Sequence, residues 1–295
     1  MLHIEPTTGP LGAIVGGLDL REELDQPTLS AIRSGLQAHL VLVFRGHEPP
    51  SDAELVRFAA ALGEVGDFGN SDKVRPDYPE IVRISNIVEN GKIGSAGTHA
   101  LPWHTDTFHG RLRQFQLLDA IELPGEGGAT YWADTYSAFE RLPRSECDRL
   151  LGLRVVHEGQ GENHYHHSVH PLVVTNPDHG RRALYLSKMF STRILELPAA
   201  DSDELLDRLC AHATAPDLVY RHDWKVGDLV LWDGIGTMHR RDAFDPSTRR
   251  YLRGLCTLIE NEAVEAVPAA ARFTSIKPGV DVRSERSLSG RPPIS

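Results

Sequence analysis

The chain has 295 residues, 40% of them hydrophobic and 24% charged, and a formal net charge of −10. Those proportions describe an ordinary folded globular chain, and the acidic balance argues against a nucleic-acid or anionic-membrane partner. Three cysteines without Cys-x-x-Cys spacing, no basic-then-apolar leader and no bilayer-length apolar run lead to the expectation of a cytoplasmic protein with no membrane association.

The opening places Gly9, Gly12, Gly16 and Gly17 among short apolar pairs, which predicts strand fragments and turns. No Gly-x-Gly-x-x-Gly leads from a strand into a helix there, so a nucleotide loop is a poor reading. Leu29, Ile32 and Leu36 recur at helical spacing after start signals at Asp25 and Pro27. Residues 40–44 are a run of β-formers that stops at Arg45-Gly46 and predicts a buried strand. Ser51 with Glu54 makes a capping box; Leu55, Phe58, Ala59 and Leu62 follow at helical period, and Gly63 closes the helix. Residues 65–79 are polar and rich in Gly and Pro, so a long loop is expected. Residues 81–87 predict a strand and Asn90-Gly91 a hairpin turn.

Further strands are expected over 115–121 and 129–132, around a Gly-rich turn, then two short helices over 136–142 and 145–151 split by Pro143. Strands over 153–157, 171–175 and 183–187 follow, with a polar, His-dense loop over 159–168. A helix over 203–212, starting from Asp201 and Glu204, precedes strands over 218–222, 228–232 and 251–259. Many short strands with few helices predict a mostly β fold with flanking helices, a sandwich or jelly roll, in one domain over residues 1–260. Beyond Glu260 the chain turns polar and rich in Pro, Arg and Ser. Residues 261–295 are expected to be an extended or partly disordered extension.

Within Leu101-Pro102-Trp103-His104-Thr105-Asp106-Thr107-Phe108 an imidazole and a carboxylate stand two residues apart. On an extended segment such residues share a face, so His104 and Asp106 can hold one metal ion together. A third ligand has to come from elsewhere, and His239 is the best candidate. Two His and one carboxylate on one face of a metal, with the other positions open, is the arrangement associated with non-haem Fe(II) oxygenases. Each residue also has a plainer reading. His104 can be a buried histidine bonded to a nearby Asp, and His239 a core histidine bonded to Asp233 or Asp242. Arg249 and Arg250 can be a solvated pair, and Thr130 an ordinary strand residue.

The segments LVLVFRG, ISN…NGK, WHTD, ELPGEGGATYWAD, HPLVVTNPDHGRRALYL and WKVGDLVLWD occur in that order, followed by His239 and Arg249-Arg250. Over roughly residues 12–258 the chain thereby resembles the taurine / 2,4-dichlorophenoxyacetate group of Fe(II)- and 2-oxoglutarate-dependent dioxygenases. The resemblance implies a double-stranded β-helix. It implies that His104, Asp106 and His239 are the catalytic iron ligands. It also implies that Arg250, eleven positions after His239, pairs with the distal carboxylate of 2-oxoglutarate, with Thr130 hydrogen-bonding the same group. Fe(II), 2-oxoglutarate and O2 are the implied cofactor and co-substrates. The implied reaction is hydroxylation, or a related C–H oxidation, of a small organic molecule, with 2-oxoglutarate converted to succinate and CO2. Self-association is implied in the same way.

Two departures from the family pattern stand out. Where many members carry a second arginine four residues after the one matching Arg250, this chain has Gly254, beside Arg253. Strand alternation turns Arg253 to the other side, which puts taurine and simple sulfonates in doubt. The family's Trp-Asp-Asn is Trp232-Asp233-Gly234 here. Asn86, His99, Phe108, Arg111 and Arg113 are the candidates for reading an acidic or other small substrate, with Lys73 and Arg75 in the early loop. The polar ones among them are more often solvated surface groups. Residues 163–167 occupy a candidate lid position. The rival readings are a non-catalytic jelly-roll metal-binding or sensor protein and a zinc hydrolase using the same three ligands. Neither gives Arg250 or Thr130 a task.

Overall fold

Helix α1, Gln26–His39, starts where the Asp25 side chain accepts the Thr28 amide, and it ends where Leu40 turns left-handed at φ 60°. A non-glycine residue in that conformation costs about 1 kcal/mol; burial of the Leu40 side chain offsets it. Helix α2, Asp52–Leu62, carries both halves of the Ser51/Glu54 capping box. Three further helices follow: α3, Thr135–Glu140; α4, Arg144–Leu150; and α5, Ala199–Ala213. The computed structural model describes residues 2–68, 73–75, 77–89, 91–94, 97–108, 111–158 and 168–260. The expected lid at 163–167, turn residue Asn90 and the extension over 261–295 lie outside the described residues. None of the described helices is long and apolar enough to cross a membrane.

Among the described residues the larger sheet has ten strands. Its path runs His3–Pro6, Ala13–Gly16, Val41–Phe44, Leu229–Asp233, Arg111–Glu122, Tyr251–Ile259, Tyr78–Ser85 and Val74–Arg75, with Thr107–Phe108 and Glu64–Val65 paired at its margins. A four-stranded sheet runs Val219–His222, Thr130–Asp134, Thr237–Arg241 and Leu101–His104.

Strand alternation sorts the side chains into layers. On the outer face of the large sheet, Phe115, Leu117, Leu229, Leu231 and Leu255 pack with the α1 residues Leu29, Ile32 and Leu36 and the α2 residues Leu55, Phe58 and Leu62. On the inner face, Val41, Val43, Val230 and Trp232 meet Trp132 and Tyr220 of the small sheet. The Trp132 and Trp232 rings cross edge-on with centroids 5.5 Å apart. Met238, on the far face of the small sheet, packs with Ala138 and Phe139 of α3 and Leu206 and Leu209 of α5. Each fully buried Leu or Phe contributes about 1.5–3 kcal/mol. Two facing sheets with helices on the outside make the mostly β double-stranded β-helix expected from the sequence.

Several local expectations are corrected. Residues 65–79 are not one loop: Val65 pairs with Thr257, and Val74 with Val82. Pairing uses the backbone, so a polar edge strand has no hydrophobic signature. Helix α5 begins at Ala199, after Pro198 and without a side-chain cap. Ser202 bonds the Ile194 amide, and Asp201 sits in the first turn, where a negative charge suits the helix dipole. The strand Ser191–Ile194 has no counterpart in the sequence reading. On either side of the expected Asn90-Gly91 turn, Val88–Glu89 pairs antiparallel with Lys92–Ile93.

Candidate active site

His104 closes its strand and stands opposite His239 in the register of the small sheet. Asp106 lies past the strand end, in the short connection to Thr107–Phe108. The turn there, more than strand alternation, aims it at the two histidines. One donor atom from each of the three residues lies within 4.8 Å of the others. The His104 and His239 ring centroids are 4.0 Å apart, and His239 Nε2 is 3.7 Å from Asp106 Oδ2. His104 Nδ1 donates to the Pro102 carbonyl at 2.7 Å, which fixes the tautomer and leaves Nε2 with its lone pair. Tyr185 Oη donates to the Asp106 carbonyl at 3.1 Å.

Burial, helped by the His104 and Arg113 charges and opposed by Asp106, pushes His239 down to about 3. A neutral imidazole is the ligating form. The plainer reading of His239 fails. Asp233 accepts from Tyr136 and from the Ile235 and Gly236 amides, and Asp242 from Tyr131 and Arg240.

Arg249 and Arg250 part company at the start of their strand. Arg249 pairs with Glu122 at the surface, whereas Arg250 is 2% exposed and lines a cavity of about 260 Å³ between the sheets. Among the described residues the Arg250 guanidinium has no hydrogen-bond acceptor, and its Nε is buried without a partner. The Phe244 ring lies 5.8 Å below it. Burial, and then the nearby Arg241 charge, push Arg250 down to about 9, so it remains cationic at neutral pH. A buried cation without a counter-ion is costly, and a carboxylate is its natural complement.

Thr130 lines the same cavity. Its Oγ1 accepts from Trp224 Nε1 at 2.9 Å, which leaves the hydroxyl proton available to a second acceptor. Arg241 donates to the Gly97 and His99 carbonyls and so ties the approach to the metal strand onto the small sheet.

The substrate candidates separate. Arg113 and Lys73 line the cavity; Asn86, His99, Arg111 and Arg75 do not. Asn86 accepts from the Arg250 amide at 2.9 Å and donates to the Thr248 carbonyl, so it braces the backbone that carries Arg250. His99 is exposed. Arg111 pairs with Glu64 and Glu260, and Arg75 with Asp52. Phe108 pairs with Arg111 through its backbone, and its side chain lies outside the described residues. Arg253 turns away from the cavity to Asp119, Asp52 and the Pro50 carbonyl, while Gly254 lines it. Trp224, Gln116, Arg241 and Phe190 were not singled out from the sequence. Only Trp224 carried a signal, as the first residue of the WKVGDLVLWD segment.

Residues 3–256 match the family model described as Taurine catabolism dioxygenase TauD, TfdA family. The chain is 38% identical over 290 residues to pentalenolactone F synthase of Streptomyces arenae, covering 89% of this chain and 97% of that one. It is 33% identical over 269 residues to the alpha-ketoglutarate-dependent 2,4-dichlorophenoxyacetate dioxygenase of Cupriavidus pinatubonensis, covering 83% and 93%. Among solved structures, a taurine dioxygenase from Burkholderia xenovorans superposes with a TM-score of 0.79 at 27% identity, covering 90% and 95%. AAD-2 in complex with Mn(II) and N-oxalylglycine superposes with a TM-score of 0.77 at 27% identity, covering 90% and 99%.

Proposed function

The chain belongs to the TauD/TfdA family of dioxygenases, and from that premise we propose how its own residues carry the chemistry. The enzyme is a 2-oxoglutarate-dependent non-haem iron dioxygenase that oxidises a small organic molecule, with 2-oxoglutarate converted to succinate and CO2. In this reading His104, Asp106 and His239 hold Fe(II). The bound iron supplies the site where O2 is activated at the expense of 2-oxoglutarate.

The rest is the work of the protein. Pro102 holds the His104 tautomer, and Tyr185 holds the Asp106 backbone. Arg250 grips the distal carboxylate of 2-oxoglutarate through its planar fork, which a lysine cannot imitate. Thr130, oriented by Trp224, donates to the same carboxylate. Trp232, Leu118 and Phe190 give the chamber apolar walls.

The observation that carries this reading is the buried, acceptor-less Arg250 guanidinium in the cavity that also holds the His-Asp-His cluster. Neither a sensor nor a hydrolase has a use for it. The substrate is read as acidic. Support comes from the cavity lining and from relatives whose names include 2,4-dichlorophenoxyacetate, sulfate ester and (S)-phenoxypropionate dioxygenases. Cys147, Cys210 and Cys256 form no disulfide, which supports a reducing, cytoplasmic location. The family match over 3–256 supports a single domain within 1–260. Self-association, implied by the resemblance, belongs to the same proposal and is checked by sedimentation.

The test is anaerobic addition of Fe(II) and 2-oxoglutarate to metal-free protein, followed by visible absorption. Wild type should develop a weak metal-to-keto-acid charge-transfer band. His104→Ala should lack it, and Arg250→Ala should need at least tenfold more 2-oxoglutarate, in line with a lost charge-assisted bond worth about 1.5–3 kcal/mol. An iron-loaded wild type without the band overturns the assignment.

A further inference from the structure

A defect in the large sheet sits next to the site. The strand Arg111–Glu122 pairs with Tyr251–Ile259 as Arg113↔Leu258 and then Gln116↔Cys256, so two residues, Gln114 and Phe115, oppose Thr257 alone. This is a β-bulge, a device that re-aims side chains beside active sites. It is built in from both sides. The Phe115 amide donates to Thr257 Oγ1 at 3.1 Å. The Gln114 carbonyl accepts from the Gly234 amide at 2.9 Å. A Cβ on Gly234 would lie 2.4 Å from the Arg113 carbonyl, so the approach requires glycine. The departure from Trp-Asp-Asn to Trp232-Asp233-Gly234 therefore has a structural counterpart across the sheet. Regular alternation would put Arg113 and Gln116, three apart, on opposite faces; the bulge puts both into the cavity.

Arg113 is well placed there. Its guanidinium lies over the Phe68 ring at 5.6 Å. Its Nη1 donates to Gln116 Oε1 at 3.1 Å and is 3.5 Å from Asp106 Oδ2. The chain as a whole carries −10, yet the charged side chains among the described residues lining this cavity are Lys73, Arg113, Arg241 and Arg250 with the carboxylate of Asp106. Beside Arg113 the floor is apolar: Val82, Ile84, Leu118 and Gly254. A Cβ on Gly254 would approach Ile84 to 3.2 Å and Leu118 to 3.3 Å, so a larger side chain there must rise into the chamber.

From these observations we propose that Arg113, presented by the bulge together with Gln116, binds the acid group of the primary substrate, while the absence of a side chain at Gly254 makes room for its apolar body. The substrate class is a monocarboxylate with a compact hydrophobic skeleton. The proposal rests on the 2-oxoglutarate oxygenase reading above and adds two residues that determine specificity.

The test uses full-length protein loaded with Mn(II) and N-oxalylglycine, titrated calorimetrically with cyclohexylacetate and the neutral cyclohexylacetamide, and with 1-adamantaneacetate and hexanoate. Wild type should prefer the acid over the amide by about tenfold or more, as expected of a charge-assisted contact. Arg113→Gln should erase that preference, and Arg113→Lys should restore part of it. Gly254→Leu should weaken 1-adamantaneacetate at least tenfold more than hexanoate. An unchanged acid/amide ratio in a loaded Arg113→Gln protein overturns the proposal, as does a loaded wild type that binds none of the acids. Loss of Mn(II) binding in Arg113→Gln but not in Arg113→Lys also overturns it, assigning Arg113 to Asp106 instead. Failure of wild type to take up N-oxalylglycine in the first place counts against the oxygenase reading itself.

Discussion

Replacing Arg250 with methionine should make the ligand-free protein more stable while weakening its response to the co-substrate tenfold or more. The guanidinium is 2% exposed and lies 5.8 Å from the Phe244 ring. Burial and Arg241 lower it from the ordinary arginine range to about 9. At about 1.4 kcal/mol per pKa unit, that is roughly 5 kcal/mol of unfavourable interaction as an upper bound; relaxation and water entry reduce it to about 2–3 kcal/mol. The sign follows from linkage. A base whose folded pKa is depressed carries the full penalty below about pH 9, and the penalty fades as pH rises toward the unfolded value.

Methionine fills similar space without charge, so Arg250→Met should raise the melting temperature of metal- and co-substrate-free protein by about 5 °C at pH 7.5. With Mn(II) present throughout, wild type should gain about 2.7 kcal/mol from N-oxalylglycine at a hundred times its dissociation constant, whereas a variant weakened tenfold or more should gain at most about 1.4 kcal/mol. Differential scanning calorimetry of the ligand-free protein, and of the Mn(II) protein with and without N-oxalylglycine, measures both arms. A variant that melts lower than wild type, as an ordinary core lesion would, refutes the argument; so does one that keeps the full wild-type rise with N-oxalylglycine.

Three other outcomes are expected. Asp228 is held down to about 2, against the upward push of burial, by hydrogen bonds from Arg45 and His222. Its stabilisation of about 1–2 kcal/mol is therefore present above pH 4 and lost as pH falls through about 2; Asp228→Asn should flatten that acid limb in urea titrations. Trp224→Phe removes the donor that orients Thr130 and should weaken 2-oxoglutarate about three- to tenfold in the charge-transfer titration, with the iron affinity unchanged. Gly236→Ala would set a Cβ 1.8 Å from Tyr136 Cε2, in a ring held by Asp233 and Asn176. It should cost about 1–3 kcal/mol and lower Fe(II) affinity through the His239 strand, whereas Gly125→Ala, with nothing within 4 Å, should be silent in the same denaturation assay.

What the sequence determined by itself is local or motif-borne. Caps and helical periods placed α1 and α2, a dense run of β-formers placed Val41–Phe44, and the His-x-Asp triplet with the family resemblance nominated His104, Asp106, Thr130, His239 and Arg250, which the sheets bring to one cavity. These are legible because a cap, a period or a motif lies within a few residues of chain. Which side a polar residue takes is not local. Alternation treats Arg111 and Arg113 alike, yet one pairs with Glu64 and Glu260 at the surface and the other enters the cavity. Asn86 holds the Arg250 backbone, and Arg253 closes an ion network with Asp119 and Asp52. Each outcome depends on a partner more than thirty residues away. The bulge opposite Thr257, closed by Gly234, decides how Arg113 and Gln116 face. Only the pairing of distant strands sets that register, because a one-residue slip moves every later side chain to the other face.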